Sequence, residues 1–251
     1  MKAISLNTWG GEAGVPELLA FLKSYDDVDV FCLQEVWNGG EHMLAEKSGG
    51  SWLSRRNPHL LSHIAGVLTD YEIYYRPHFF DFYGLAMFVK KGLKVTEEGE
   101  LYIYKEKGYI SSEEFGNHAR ILQYMTIDTS EGARTILNLH GLWNGKGKND
   151  SEDRLEQSDR IARFVKDLTN PYVVLGDFNL RPDTESLARI EACGLRNLIK
   201  EYGIISTRTS HYTKPEKFAD YAFVSDGVEV KDFKVLPDEV SDHAPLYLEF
   251  S

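Results

Sequence analysis

The stretch SDHAPLYLEF, residues 241–250, places three polar residues directly before an apolar run that predicts a β-strand. Three other polar clusters follow predicted strands upstream. They are Asn7 after the first strand, Gln34-Glu35 after the second, and Gly176-Asp177-Phe178-Asn179 after a strand late in the chain. Because ends of neighbouring strands meet at the rim of a sheet, we expect the four clusters to gather there. Oxygen-rich side chains and one histidine then suit a hard divalent cation and a phosphate ester.

The order of predicted elements favours two sheets packed face to face with helices outside. Predicted strands occupy residues 3–6, 28–33, 71–75, 84–89, 93–96, 100–104, 120–128, 134–140, 172–175, 220–224, 228–235 and 245–250. Predicted helices occupy residues 16–25, 41–68 with interruptions at Gly49-Gly50 and Pro58, 151–168 with Ser151 as N-cap, and 184–193. No repeat or Gly/Ser linker divides them, so we predict one α/β (α+β) domain over residues 1–251.

The composition is typical of a globular protein with a sizeable core. The chain has 251 residues, of which 42% are hydrophobic and 27% are charged. A net charge of −11 argues against attachment to nucleic acid by global electrostatics, although a local basic rim can still bind phosphate. No apolar run reaches the ~20 residues of a membrane span, and no signal peptide is recognisable. We therefore expect a cytoplasmic monomer without stable membrane insertion.

The two cysteines carry little information. Cys32 lies in an apolar strand pattern, and Cys193 lies near the end of a predicted helix. Both are expected to be buried or semi-buried thiols. Their number and spacing predict neither a disulfide framework nor a zinc site.

Two acidic positions stand out as candidates for chemistry. Glu35 leaves a hydrophobic strand at its carboxyl end, where metal ligation and a charge without a function are both open interpretations. Asp177 and Asn179 are two residues apart, so an extended segment points both to one side. One can bind metal or take a proton from water while the other holds that water. The alternative is an Asx-rich turn that caps the next helix.

Histidines supply the second kind of candidate. His243 becomes a candidate general base if a carboxylate orients it, and Asp220 at the start of an apolar run is the best partner. The adjacent Asp242 can then face a metal. His140 ends a strand and precedes the loop 141–149, which is rich in glycine and lysine. This loop is either a mobile, basic, substrate-facing segment or a flexible surface loop.

These motifs together resemble those of one superfamily. The order Asn, Gln-Glu, a strand-end His, Gly-Asp-x-Asn, Asp-Tyr and Ser-Asp-His is similar to that of the endonuclease/exonuclease/phosphatase superfamily, the deoxyribonuclease I-like metal-dependent phosphoesterases. The motifs run from residue 7 to residue 243. The resemblance implies a four-layered α/β sandwich of two mixed sheets, with the active site at one rim.

The resemblance also implies roles for particular residues. Glu35 would be the principal ligand of Mg²⁺ or Mn²⁺, with Asn7 and Asp242 close to the metal. The other implied residues would serve catalysis: Asp177 and Asn179 position or activate water, His243 with Asp220 acts as base or assists the leaving group, and His140 stabilises the scissile phosphate. Further candidate phosphate or substrate contacts are Arg120, Asn144, Lys146 and Arg208, together with Asn117 and His118.

The substrate stays open at the level of sequence. A nucleic acid, a nucleotide or a phospholipid headgroup all fit a metal-dependent phosphoester hydrolase, and short similarities around Trp9 and Trp37 resemble neutral sphingomyelinases. A sphingomyelinase- or phosphoinositide-phosphatase-like activity is therefore one alternative. The aromatic cluster 79–83 can contact a membrane or bases, or belong to the core or a strand edge. A non-catalytic binding protein would be expected to have lost Glu35, Asp177 or His243, and all three are present.

Overall fold

The computed structural model describes residues 1–41, 55–112 and 116–251 of the protein. In that part of the chain, strands form two six-stranded mixed sheets. The strands are β1 (Lys2–Asn7), β2 (Val30–Trp37), β3 (Tyr71–Phe79), β4 (Tyr83–Lys90), β5 (Lys94–Tyr104), β6 (Arg120–Thr129), β7 (Gly132–His140), β8 (Tyr172–Asp177), β9 (Arg196–Asn197), β10 (Asp220–Val224), β11 (Val230–Val235) and β12 (Leu246–Phe250). Sheet 1 has the order β11-β12-β1-β2-β4-β3, and sheet 2 has the order β5-β6-β7-β8-β10-β9.

The helices follow the start and stop signals of the sequence. They are α1 (Val15–Ser24), α2 (Leu60–Val67), α3 (Glu152–Lys166), α4 (Glu185–Glu191) and α5 (Leu198–Glu201), with a short 3-10 helix at Trp9–Gly11. Pro16 stands in the first turn of α1. The side chain of Ser151 accepts a hydrogen bond from Arg154 N at 3.3 Å, which confirms the predicted N-cap of α3. Within the described residues, no helix is long and apolar enough to cross a membrane.

Alternation along the strands creates the layers. In β2, Val30 and Cys32 join a core cluster that includes residues of sheet 2, whereas Phe31 and Leu33 join a cluster with α1 and α2. Successive side chains of a strand point to opposite faces, so one strand serves both cores. The first cluster also reaches Ile161 of α3 and residues of α4. The result is the expected four-layered sandwich.

Strand register brings the predicted polar clusters to one rim. In the parallel pair of β1 and β2, Asn7 lies opposite Gln34. In sheet 2, parallel β7 and β8 place His140 opposite Asp177, and antiparallel β10 places Asp220 opposite the same Asp177. Because both sheets end their parallel pairs on this side, polar side chains from distant segments converge there.

Several predicted elements differ from the observed ones. The strands predicted at 93–96 and 100–104 are one strand, β5, whose pairing with β6 shifts register between Val95 and Glu97. Of the helix predicted at 41–68, the structure shows α2, while residues 42–54 lie outside the described part. β9 and α5 were not predicted, because two and four residues are too short to show a period.

Gln34 does not join the rim, although the sequence grouped it with Glu35. Its side chain is fully buried, and its Nε2 donates to Asn138 Oδ1 at 2.7 Å, across the interface between the sheets. Asn138 Nδ2 in turn donates to Leu33 O at 3.2 Å. This polar contact lies among apolar side chains of the core, directly beneath the rim.

Candidate active site

A cavity of about 590 Å³ opens at the rim where the two sheets meet. Its described lining comes from strand ends and from the loops that follow or precede them. The lining residues are Trp9, Glu35, Trp37, Arg56, Phe79, Tyr83, Gly116, His118, Arg120, His140, Trp143, Gly145, Lys148, Asp177, Asn179, Arg208, Tyr212, Lys214, Asp242 and His243. A cavity of this volume accommodates a whole small-molecule ligand rather than a phosphate group alone.

A β-bulge directs Glu35 into the cavity. The pairing of β2 with β4 shifts register between Leu33 and Val36, and Glu35 has a φ of 56°. A bulge re-aims a side chain that a regular strand would send to the other face. The positive φ of a non-glycine residue is strained and is typical of functional sites.

Asn7 links carboxylates from the two sheets. Its Nδ2 donates to Asp177 Oδ2 at 2.9 Å and lies 3.2 Å from Glu35 Oε1. Its Oδ1 accepts a hydrogen bond from Trp9 N at 3.0 Å. The side chain therefore presents its amide nitrogen to the carboxylates and uses its oxygen locally. This contact holds Glu35 and Asp177 beside each other at the cavity.

The Gly-Asp-Phe-Asn segment brings β8 tightly against β7. Gly176 has a φ of 143°, and a Cβ there would lie 2.1 Å from Leu139 O, so only glycine fits. The next residue, Asp177, is 1% exposed, and its Oδ1 accepts a hydrogen bond from Asn179 N at 2.8 Å. Asn179 has a φ of 54°. The segment thus combines the two sequence interpretations, since the Asx turn itself points both side chains at the cavity.

His243 and Asp220 form a buried pair, as the sequence predicted. Nδ1 of His243 lies 2.8 Å from Oδ2 and 2.9 Å from Oδ1 of Asp220. The other ring nitrogen, Nε2, lies 3.7 Å from Asp177 Oδ2 and 3.7 Å from Asp242 Oδ1. The imidazole therefore joins a carboxylate behind it to two carboxylates that border the cavity.

Burial controls the charge of this pair. Burial raises the pKa of Asp220 to about 6, against the opposing effects of Arg208 and Lys148. Burial also lowers the pKa of His243 to about 3, and Arg208 lowers it further. At neutral pH the pair is thus an aspartate and a neutral imidazole. The Nδ1 proton then points at Asp220, which leaves Nε2 as an acceptor on the side of the cavity.

Asp242 is fixed by Arg208. An isolated bridge pairs Arg208 with His243, and Nη1 of Arg208 lies 3.1 Å from Asp242 Oδ2. Oδ1 of Asp242 is buried and has no hydrogen-bond partner within the described part of the chain. Burial raises the pKa of Asp242. A buried carboxylate oxygen without a donor is costly, and ligation of a cation would satisfy it.

A cluster of three possible metal ligands was not predicted from the sequence as a metal site. Asp177, Asp220 and His243 offer ligand atoms that lie within 4.8 Å of one another. Nδ1 of His243 is already engaged by Asp220, so this group resembles an acid–base pair with a carboxylate in front of it more than a cation cage. Glu35 and Asp242, which also face the cavity, offer oxygen ligands beside it.

His140 and Arg120 form a buried pair at the wall of the cavity. Both are 2% exposed, and Arg120 Nη1 lies 3.1 Å from Nδ1 of His140. Nη2 of Arg120 donates to Gly116 O at 3.0 Å. Nε2 of His140 lies 3.8 Å from Asp177 Oδ2. Burial, assisted by Arg120, holds the pKa of His140 well below its usual range, so the imidazole is neutral beside a charged guanidinium.

The loop 141–149 is tied to α3 rather than free. The buried guanidinium of Arg154 donates to Asn149 O, to Gly147 O at 2.6 Å and to Leu142 O at 3.4 Å. The expectation of a mobile loop, based on its glycines, overlooked this arginine. Donors that satisfy several loop carbonyls hold a segment in one conformation.

The same loop contains two of the predicted substrate contacts. Asn144 and Lys146 do not line the cavity. Asn144 Oδ1 instead accepts a hydrogen bond from Lys146 N at 3.1 Å, which closes a local turn. Trp143 and Lys148 take their place in the lining, and Lys148 is only 3% exposed. The other two, Arg120 and Arg208, do border the cavity.

Sequence reasoning missed the aromatic part of the lining. Phe79 and Tyr83 wall the cavity, whereas the intervening Phe80 is 43% exposed. The aromatic cluster 79–83 was the only signal for them. Tyr212 and Lys214 gave no signal, because they belong to an irregular loop without a strand-end pattern.

Known proteins agree with this architecture. Residues 4–243 match the model of the Endonuclease/Exonuclease/phosphatase family. No curated protein matches the chain. The mannosyl-6-phosphatase of Bacteroides thetaiotaomicron VPI-5482 has a TM-score of 0.72 at 19% identity, over 100% of this chain and 99% of that chain. D. rerio TDP2 complexed with single-strand DNA product has a TM-score of 0.72 at 16% identity, over 100% and 98%.

A functionally unknown protein of Enterococcus faecalis V583 is similar to the same degree, with a TM-score of 0.72 at 18% identity over 100% and 99% of the two chains. At such identities the solved structures establish the fold alone. The family match is broader evidence, because it spans nearly the whole chain, from the first strand to His243 at the site. The chain therefore belongs to the endonuclease/exonuclease/phosphatase family.

Proposed function

We propose that the protein is a divalent-metal-dependent phosphoester hydrolase that directs a water molecule at phosphorus. Members of its family are hydrolases of phosphoesters. The observation that carries the proposal is the position of His243 Nε2, 3.7 Å from both Asp177 Oδ2 and Asp242 Oδ1, with Asp220 behind Nδ1. This position brings a base and two carboxylates together at a cavity that arginines line.

Glu35 and Asp242 are the residues that would hold Mg²⁺ or Mn²⁺. The unsatisfied Oδ1 of Asp242 and the exposed side of Glu35, aimed by its bulge, supply hard oxygen ligands. Asn7 would keep Glu35 in place through its amide nitrogen. When bound, the metal supplies charge neutralisation for the phosphate and the departing oxygen.

His243 and Asp177 would handle the attacking water. Neutral Nε2 of His243 can accept the proton of a water placed between it and the phosphate, while Asp220 stabilises the imidazolium that forms. Asp177 and Asn179 would orient that water. A water held in line with the leaving oxygen attacks within one complex, so the reaction does not require a separate bimolecular encounter.

Arg120, His140 and Arg208 would bind the phosphate oxygens. The guanidinium of Arg120 is buried and lines the cavity, where its N–H groups can bind an anion. His140 is neutral and can donate one hydrogen bond. Donors preset around the phosphate need no rearrangement as negative charge develops.

The substrate of the proposed reaction is a phosphoester. One structural neighbour is a mannosyl-6-phosphatase and another holds single-strand DNA product, so phosphosugars and nucleic acids are the first substrates to try. The complete set Glu35, Asp177 and His243 at the cavity argues against a binding protein that has lost catalysis.

Hydrolysis with and without metal tests the proposal. The panel contains single-strand DNA, RNA, plasmid DNA, mannose 6-phosphate, sphingomyelin, phosphoinositides and bis-p-nitrophenyl phosphate. Mg²⁺ or Mn²⁺ should support turnover, and EDTA should abolish it. Calorimetric titration with Mn²⁺ should show weaker binding by Glu35→Gln than by the wild-type protein.

Glu97→Gln is the matched control, because Glu97 is exposed on β5. It should bind Mn²⁺ and turn over substrate as the wild-type protein does. Turnover that persists in EDTA, or that Glu35→Gln leaves unchanged, would remove the metal-dependent mechanism.

A further inference from the structure

Three aromatic rings at the cavity each carry a cation against them. Arg56 lies over the ring of Trp9 at 5.4 Å, and Lys214 lies over that of Trp143 at 5.6 Å. The guanidinium of Arg208 lies only 4.0 Å from the ring centre of Tyr212. All six side chains line the cavity. The catalytic proposal uses only Arg208 among them, so the remaining five need an account of their own.

Each of the three aromatic residues is linked through a backbone or side-chain contact to a residue of the proposed catalytic centre. Trp9 donates its backbone N–H to Asn7 Oδ1. Tyr212 stacks against the guanidinium that pairs with Asp242. Trp143 follows Gly141, whose N–H donates to Asp177 O at 2.7 Å. The three rings therefore line the same cavity as the carboxylates and the imidazole of the proposed catalytic centre.

The charge of these walls differs from that of the molecule. The chain has a net charge of −11, yet Arg56, Lys148, Arg208 and Lys214 all border this one cavity. Lys148 also lies 5.7 Å from the ring of Tyr212 and donates to Phe218 O at 3.1 Å. Rings and cations that border one cavity suit a ligand that carries both a flat group and an anionic group.

We propose that Trp143 and Tyr212, with Lys214 and Lys148, form a ring-binding subsite beside the catalytic centre. Its ligand is a phosphoester in which a nucleobase or a sugar ring is joined to the phosphate. The ring lies against Trp143 or Tyr212, and the cations bind the adjoining anionic groups. This inference rests on the proposed function for the place of the phosphate. The subsite would make the protein prefer phosphoesters that carry a ring to simple alkyl phosphoesters.

Calorimetric binding of three probes tests the subsite without requiring turnover. The probes are thymidine 5′-monophosphate, glucose 6-phosphate and inorganic phosphate, each titrated into the full chain with Mg²⁺ while phosphate release is followed in parallel. At least one ring-bearing probe should bind about tenfold more tightly than inorganic phosphate, since one stacked ring contributes about that much. Whichever ring binds more tightly identifies its source as nucleoside or sugar.

Trp143→Leu should bring the affinity for the ring-bearing probe close to that for inorganic phosphate. Tyr202→Leu is the matched control, because Tyr202 is an exposed ring packed on Phe233, outside the cavity lining. It should keep the full difference. Tyr212→Leu serves as the second variant if Trp143→Leu does not give a folded protein by circular dichroism.

Two results would overturn the subsite. One is equal affinity of the wild-type protein for all three probes, and the other is an undiminished difference in both leucine variants. Either result leaves metal-dependent turnover of the hydrolysis panel untouched. Conversely, ring-dependent binding by a protein that hydrolyses none of the panel would count against the proposed function and not against the subsite.

Discussion

His243 Nδ1 lies 2.8 Å from Asp220 Oδ2, and the two side chains are 5% and 3% exposed. The partners come from the start of β10 and from the segment before β12, so only the folded chain joins them. Such a carboxylate fixes the imidazole tautomer and stabilises its cation, without itself taking the proton.

Asp220→Asn should therefore lower kcat by about 10²- to 10⁴-fold with little change in KM. The asparagine amide can donate to Nδ1, which favours the tautomer with its proton on Nε2 and removes the acceptor from the cavity. Steady-state kinetics on the hydrolysed substrate measures the effect. Asp70→Asn is the control, because Asp70 is exposed after α2. A wild-type kcat in Asp220→Asn would show that the pair is structural only.

The pH profile should reveal the same carboxyl group. Because burial raises the pKa of Asp220 to about 6, kcat/KM should fall about tenfold per pH unit as the pH drops below that value. The contribution of this group to the free energy of unfolding has the opposite pH dependence. Its raised pKa favours the protonated folded state, so its contribution is present at low pH and is lost as the pH rises through about 6. A profile that stays flat down to pH 4.5 would contradict the assignment.

Lys148 should limit stability at neutral pH. Burial, assisted by Arg208, lowers its pKa from 10.5 to about 8. Below pH 8 the folded protein bears the whole cost of the buried ammonium, and the cost disappears as the pH rises to about 10.5. Lys148→Met should raise the free energy of unfolding at pH 7 by up to about 3 kcal/mol, less the lost hydrogen bond to Phe218 O.

Urea unfolding of Lys148→Met at pH 7 and pH 10 checks this expectation. The gain should shrink at the higher pH. Lys146→Met, at an exposed position of the same loop, should change little at either pH. A gain that is equal at both values would mean that packing, not charge, decides the stability of this position.

The bulge at Glu35 predicts a difference between two variants that both lack the carboxylate. Glycine adopts a φ of 56° freely, whereas alanine there is strained by about 1 kcal/mol. Glu35→Gly should therefore unfold at a higher urea concentration than Glu35→Ala, although both lose metal-dependent turnover. Equal stabilities, or a more stable alanine variant, would show that residue 35 does not occupy the left-handed conformation in solution.

The sequence could predict which segments meet at the rim, because strand ends and polar residues coincide in it. The pairing of Asp220 with His243 was predicted in this way and is present. The bulge that turns Glu35 into the cavity was not predictable, since one extra residue in a strand leaves no period in the sequence. The hydrogen bonds from Arg154 to the loop 141–149 were not predictable either. In the sequence, Arg154 is one of several polar residues of the helix, and nothing distinguishes it from the others. Local pattern specifies elements, whereas these contacts depend on tertiary packing.

The contact between Gln34 and Asn138 joins the two sheets and should couple them energetically. Gln34 Nε2 donates to Asn138 Oδ1 at 2.7 Å, and both residues are 0% exposed. Gln34→Leu removes the donor from that oxygen and leaves it unsatisfied in the core, which should cost about 1–3 kcal/mol of unfolding free energy. When Asn138→Leu is combined with Gln34→Leu, the unsatisfied Oδ1 of Asn138 is removed as well. The double variant should therefore be more stable than the sum of the single changes by about 0.5–3 kcal/mol, as measured in a double-mutant cycle by urea unfolding. Additive changes would mean that the two side chains are satisfied independently, each within its own sheet.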